Sequence, residues 1–317
     1  MEPAMAFSLT TIRLFRFNPA AVSVLDDDLL EPVLIPRDIG GIARLDGFTS
    51  WSENIGATVL RTNGVILLRH GMATKTLPKG ALKEAVRERV EDGEVPSSRL
   101  TKDVQEDLLR GVMQSVSTCP ILLDPTSGIA MVGCSSDSQA QNAVLQLNAI
   151  TTDLRLKPVL AGGVAKRLCE WMDSTLPLPA CMAFGRKTVL MNPEDKSETV
   201  YRNQALPSEP VLDQMTKYGR IVSKLGMEFD HAMQLTIEDP WVLSWISPIG
   251  TLKQALIDAA VHPTERAQLD MEVKLWLGVL RPVATCMVSE FETLPYVAPA
   301  PADGIVKLPW VFEGIAA

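Results

Sequence analysis

The hydrophobic period of the chain changes twice between residues 57 and 132, and this double change limits the fold more than any other feature. Ala57 to Arg61 and Gly64 to Arg69 are apolar, β-branched runs on either side of Asn63-Gly64. Asn-Gly tolerates positive φ at both central turn positions, so it is the strongest short hairpin signal a sequence offers. From Lys79 the apolar residues recur every four: Leu82, Val86 and Val90, with Ala81 and Ala85 beside them and Lys83, Arg87 and Glu88 off the stripe. That is the spacing of an amphipathic helix. Gly93 and Pro96 interrupt it, and Thr101 opens a second helix with a stripe of Val104, Leu108, Val112 and Val116, widened by Leu109 and Met113. Strand character returns at Ile121 to Leu123 and Ile129 to Val132, joined by a turn containing Pro125 and Gly128. A helical hairpin is therefore inserted between strands, which predicts an α+β fold.

The same patterns place the remaining elements. Ser8 to Phe17 alternates as a strand, Asn18 caps a short helix through Leu30, and Ile42 to Trp51 is a further strand. Ser135, Ser136 or Asp137 caps a helix carrying Ala140, Val144, Leu145 and Leu147, and Gly162-Gly163 precedes another with Val164, Leu168 and Trp171. Ala183 to Met191, Glu198 to Gln204, Gly219 to Phe229 and His231 to Ile237 predict a meander. A long helix is expected from Thr264 to Glu292, with Pro282 kinking or dividing it. Trp171, Trp241, Trp245 and Trp276 stand among apolar neighbours and are assigned to the core rather than to base stacking. A Pro-rich tail follows Leu294.

With 317 residues, 46% of them hydrophobic, the chain can bury a substantial core. Its apolar runs fall far short of the roughly 20 residues that cross a bilayer, and its first residues lack the pattern of a secretion signal, so the cytoplasm is the expected compartment. The five cysteines, none spaced as CxxC, are expected to be reduced. The three histidines lie far apart, so no metal is expected, and no phosphate-loop, dinucleotide or GxSxG motif is present. No cofactor is implied. The best enzymatic arrangement is Glu228-Phe229-Asp230-His231, in which Glu228 and Asp230 would share a strand face and, with Glu238 or Asp239, hold a divalent metal for phosphodiester hydrolysis. A solvated strand face near a turn explains the same residues.

A net charge of −8 opposes contact with phosphates, but the charge is polarised. From Arg155 to Lys224 there are 11 basic and 7 acidic residues, and from Leu225 to the end 5 basic and 12 acidic. A basic face on an acidic body can focus its field on a polyanion.

Three stretches carry a family resemblance. Asn63-Gly64-Val65-Ile66-Leu67-Leu68 is followed by Lys75-Thr76-Leu77-Pro78 and the helical hairpin; Leu122-Leu123-Asp124 leads through Gly128-Ile129-Ala130-Met131-Val132-Gly133-Cys134; and Gly219-Arg220-Ile221-Val222-Ser223-Lys224-Leu225 opens a late strand. In order and spacing, over residues 8 to 294, they resemble the RdgC family of recombination-associated proteins.

The resemblance implies a horseshoe-shaped α+β monomer: a central domain (1–74 with 118–160), a helical tip (75–117), a base (161–294) and the tail (295–317). Two copies would pair into a ring around double-stranded DNA, bind it without sequence preference and inhibit RecA-mediated recombination, as a non-enzymatic, nucleoid-associated protein. The phosphate-contacting positions it implies are Lys75, Lys79, Lys83 and Arg87 at the tip, Arg202, Lys217, Arg220 and Lys224 in the base, and more weakly Lys166, Arg167, Arg186 and Lys187. Val112, Met113 and Val116 would close the ring at the tip.

Two departures bear on this expectation. Where the family carries an aromatic residue and an Arg near the end of the second tip helix, this chain has Gly111-Val112-Met113-Gln114, and where it carries consecutive lysines, this chain has Arg202-Asn203-Gln204. The first predicts weaker tip closure and the second weaker DNA binding, divergence that would suit a mobile-element or phage version. Two alternatives stand beside the DNA ring: the nuclease using Glu228 and Asp230, and a relative acting through protein contacts of its tail.

Overall fold

The computed structural model describes residues 7–292, apart from 53, 160, 161 and 240; the tail expected to carry protein contacts lies outside the described residues. The first strand, β1 (Thr11–Arg16), shows how the sheet is built. Ile12 and Leu14 point into one core and Phe15 into another, as the two-residue period of a strand requires. Asn18 then caps a 3-10 turn, its side chain accepting from the Ala20 N–H, and leads into the short α1 (Asp27–Leu30).

Strands β2 (Arg44–Phe48), β3 (Leu60–Thr62) and β4 (Val65–Thr74) follow. Asn63 and Gly64 have φ of 49° and 78°, the paired positive values that the hairpin requires. Helices α2 (Ala81–Glu91) and α3 (Ser98–Arg110) form the inserted hairpin, with Ser97 accepting from the Leu100 N–H at the start of α3. The expected stripe through Val112 and Val116 is not helical. Helix α3 stops at Gly111, and Val116 lies in β5 (Ser115–Asp124), opposite Ala73. The ladder between β4 and β5 runs from Thr74↔Ser115 to Ile66↔Leu123, and its continuous pairing overrides the helical spacing in favour of strand, where β-branched residues pack well.

Strand β6 (Ile129–Val132), helix α4 (Asp137–Ile150), the two-residue β7 (Lys157–Pro158) and helix α5 (Val164–Met172) come next. The β5–β6 register, Ile121↔Val132, sets Cys119 opposite Cys134, and the two are joined in a disulfide with Cα atoms 5.2 Å apart. This corrects the expectation of five thiols, because the hairpin register, invisible in the sequence spacing, creates the pair.

The second half holds β8 (Met182–Met191), β9 (Glu198–Arg202), α6 (Glu209–Tyr218), β10 (Ile221–Phe229), β11 (Met233–Glu238), β12 (Val242–Pro248), α7 (Gly250–Ala259) and α8 (Glu265–Phe291). Pro282 does not divide α8. Leu280, Val283, Met287 and Phe291 are buried on either side of it, and side chains of this size gain about 1.5–3 kcal/mol each on burial, against about 3 kcal/mol for an interior proline. Among the described residues no helix is long and apolar enough to cross a membrane.

The strands join into one sheet in the order β2-β4-β5-β6-β1-β12-β11-β10-β8-β9, with β3 on β4 and β7 on β1. In the β2-to-β1 half both faces are covered. Leu68, Ile121 and Val132 pack with Ala140, Val144 and Leu147 of α4, while Leu67, Leu122 and Met131 face the core that holds α5 and α8. That core continues under Leu225, Met227, Leu235, Ile237 and Leu243 in the other half, where α6 and α7 also contribute Val211, Leu252 and Leu256. The helices of the second half thus share one face of the sheet and leave the opposite face open.

Candidate functional site

The open face of β8 to β12 carries a basic concavity shaped by three irregularities in the sheet. The β8–β10 ladder shifts register between Val222 and Lys224 and again between Leu225 and Met227. Gly185 and Gly226 face each other there. A Cβ on Gly185 would stand 2.9 Å from the Gly226 carbonyl, and one on Gly226 would stand 3.0 Å from the Lys187 carbonyl oxygen. Only glycine lets the two strands approach this closely.

The third irregularity lies between β11 and β12. Gln234 pairs with Ser247 and Thr236 with Ser244, so Trp245 and Ile246 together oppose Leu235. Such a bulge inserts one extra residue and re-aims a side chain. Ile246 stays buried, whereas Trp245, with a left-handed φ of 52°, is 70% exposed. Left-handed backbone costs an L-residue roughly 1–2 kcal/mol. Trp171, Trp241 and Trp276 lie in the core as expected, and Trp245 does not: the bulge moves it to the other face.

Strand pairing sets the charges. Lys187 lies directly opposite Arg202, and like charges so placed destabilise a sheet. The Lys187 Nζ stands 4.8 Å from the centre of the Trp245 ring, a cation–π contact. With Arg186 these residues border an open concavity of about 510 Å³ whose lining includes Gln234, Thr236 and Ser247 but no carboxylate. Among the described residues Arg186, Lys187 and Arg202 have no acidic partner, in a protein whose net charge is −8.

The other basic positions have different surroundings. Lys75 is buried, its ammonium donating to the carbonyls of Gly40 and Leu109 and pairing with Asp38 at 2.6 Å, so it does not face a phosphate. The Lys75 hydrogen bond holds the Asp38 carboxyl below the usual range. Arg87 is paired with Glu84 and Glu91, Lys217 with Asp213, and Lys224 with Glu238. Lys166 and Arg167 are paired with Glu170, and Arg167 also with Glu290. Arg220 donates to Ser197 and Thr199. Lys79 and Lys83 are exposed beside and on α2. Of the implied tip contacts, Met113 is 92% exposed and Val116 43%, and Val112 lies in the turn between α3 and β5.

The carboxylates expected to share a strand face do not. Strand β10 ends at Phe229, and Asp230 enters the following turn with φ of 46°. Glu228 and Asp230 do border one small cleft with His231, whose Nδ1 lies 2.8 Å from the Glu228 carboxylate. Glu238 is four residues further along the ladder, opposite Lys224. Burial pushes the Asp239 carboxyl up, despite a hydrogen bond from the Ala165 backbone. Among the described residues no three His, Cys, Asp or Glu side chains are grouped to hold a metal.

Comparison with known proteins gives this architecture a lineage. The family model described as "Putative exonuclease, RdgC" matches residues 10–294. The chain belongs to the RdgC family. Relatives named "Recombination-associated protein RdgC" from Salmonella typhimurium strain LT2, Salmonella typhi and Salmonella newport are each 21% identical over 242 residues, 73% of this chain and 80% of theirs. In this RdgC-family chain, Trp245 and the glycine pair are the features that sequence reasoning missed. Simple alternation along β12 puts Trp245 on the same side as Leu243, and only the bulge reverses it.

Proposed function

We propose that this RdgC-family chain is a non-enzymatic protein that binds double-stranded DNA without sequence preference and acts in recombination. It does so as a homodimeric ring, with residues 75–117 as the tip and 161–294 as the base, and it inhibits RecA-mediated exchange by occupying DNA. The observation that carries the reading is the carboxylate-free concavity in which Arg186, Lys187 and Arg202 lie together without acidic partners. A cross-strand Lys187–Arg202 pair repels itself, and a phosphate between the two side chains would relieve the repulsion while releasing counterions. Membership of a family whose relatives are named for recombination supports the process.

A salt titration of binding to duplexes of unrelated sequence tests it. Both duplexes should bind, with affinity falling steeply as salt rises, and Lys187→Glu/Arg202→Glu should flatten the log–log slope by about two, one for each lost phosphate contact. An unchanged slope in the double variant would overturn the assignment of this face. Magnesium added in the same assay tests the non-enzymatic reading: shortened strands, lost in Glu228→Gln, would point instead to hydrolysis at the Glu228–Asp230 cleft.

A further inference from the structure

We infer that the concavity takes an unpaired nucleotide, its base stacked on Trp245 and its flanking phosphates held by Lys187, Arg186 and Arg202, so that this face recognises single-stranded DNA. The inference rests on the DNA-binding reading above and adds an unpaired strand to the DNA that the same face holds.

Three observations support it. Trp245 is exposed although 46% of the chain is hydrophobic and the core holds other tryptophans. Its exposure is built in by the β11–β12 bulge and a left-handed backbone, not left over from poor packing. Trp245 remains 70% exposed even with the Lys187 ammonium over its ring, so indole surface is still free for a flat partner. Within a duplex each base is covered above and below by its neighbours, and the helix offers an indole phosphates but no ring face except at its ends. A single strand offers both, and aromatic platforms beside basic grooves bind it without regard to sequence, because every base has a π-face.

The floor of the concavity fits the same occupant. Gly185 and Gly226 line it without side chains, and beside them stand the amide and hydroxyl groups of Gln234, Thr236 and Ser247. Those groups can meet base edges of either hydrogen-bonding sense. A site for phosphate alone would not need the aromatic ring.

The experiment uses the full chain with a labelled oligo(dT) and a duplex of equal length, comparing the unmodified protein with Trp245→Ala, Trp245→Phe and Lys187→Glu/Arg202→Glu. Trp245→Ala should weaken oligo(dT) binding by about 5- to 150-fold, the range for removing one base-stacking aromatic, and weaken duplex binding markedly less, through the lost cation–π contact to Lys187 alone. Trp245→Phe should recover most of the loss, since it keeps a π-face. Oligo(dT) should also quench tryptophan emission in the unmodified protein more than in Trp245→Phe, a readout that does not depend on the alanine variant folding. Equal losses on both strand types, or no loss and no difference in quenching while DNA binding persists, would overturn the stacking inference and leave the phosphate reading intact. Failure of the unmodified protein to bind either DNA at low salt would overturn both readings.

Discussion

Asp124 and Arg281 are 157 residues apart in sequence and joined by two hydrogen bonds of 2.7 and 2.9 Å, with the Asp124 side chain wholly buried. Burial alone would raise that carboxyl, but the bonds from Arg281, the Ser127 hydroxyl and the Thr126 N–H outweigh it and hold it below its ordinary 3.8. A depressed carboxyl adds stability that is present above the unfolded value and lost as pH falls through the folded one. Arg281→Met should therefore cost roughly 3 kcal/mol at neutral pH, the low end for breaking a buried pair because Arg281 is itself 36% exposed. In urea melts the two proteins should converge as the pH falls below 3.8; a gap that stays constant would show that the pair contributes by packing alone. Lys75 makes the complementary point about residue type. A lysine beside a helix invites a phosphate-binding role, yet here its ammonium ties the segment around Gly40 to the end of α3.

At the scale of elements, the sheet's irregularities matter more than its regular ladders. The β8 and β10 strands meet at Gly185 and Gly226, where a Gly185 methyl would lie 2.9 Å from Gly226 backbone atoms that have little room to move. Gly185→Ala should therefore destabilise the protein by about 1–3 kcal/mol and also weaken DNA binding, because it displaces β8, the strand that presents Lys187 and pairs it with Arg202. Thermal unfolding and a binding titration on the same sample check this; normal stability with normal affinity would show that the floor is not closely packed in solution. The tip helices show the opposite balance. None of the α2 side chains is buried, whereas α3 buries Leu100, Val104 and Leu109, so the pair rests on the body through α3.

The whole molecule is organised by β1, which hydrogen-bonds to β6 on one side and β12 on the other and makes one sheet of the two halves. A single core then runs from Leu67 and Leu122 to Met227 and Leu235, so unfolding of either half exposes the other. The exposed Met113 lies where the inserted hairpin rejoins the sheet, two residues before β5, and the proposed ring would close through it. On that proposal Met113→Glu should shift sedimentation from dimer towards monomer and speed release from covalently closed circular DNA, without changing the salt slope on short linear duplexes. An unchanged sedimentation profile would remove Met113 from the interface.

The sequence by itself determined the element order over most of the chain, because hydrophobic period, the Asn63-Gly64 turn, the Asn18 cap and the capping residues at 135–137 are local signals read within a few residues. It also indicated that positive charge concentrates between Arg155 and Lys224. It did not show β12, α6 or α7, whose patterns are short or mixed, nor the end of α3, where pairing with β4 overrode helical spacing. Only the tertiary structure decided which charges are free. Lys75, Arg87, Lys217 and Lys224 differ from Arg186, Lys187 and Arg202 in their neighbours across strands and turns, not in their own residue types. Trp245 was beyond the reach of sequence for the same reason: a bulge is a mismatch between two strands, and one strand read alone cannot show which way its side chains will face.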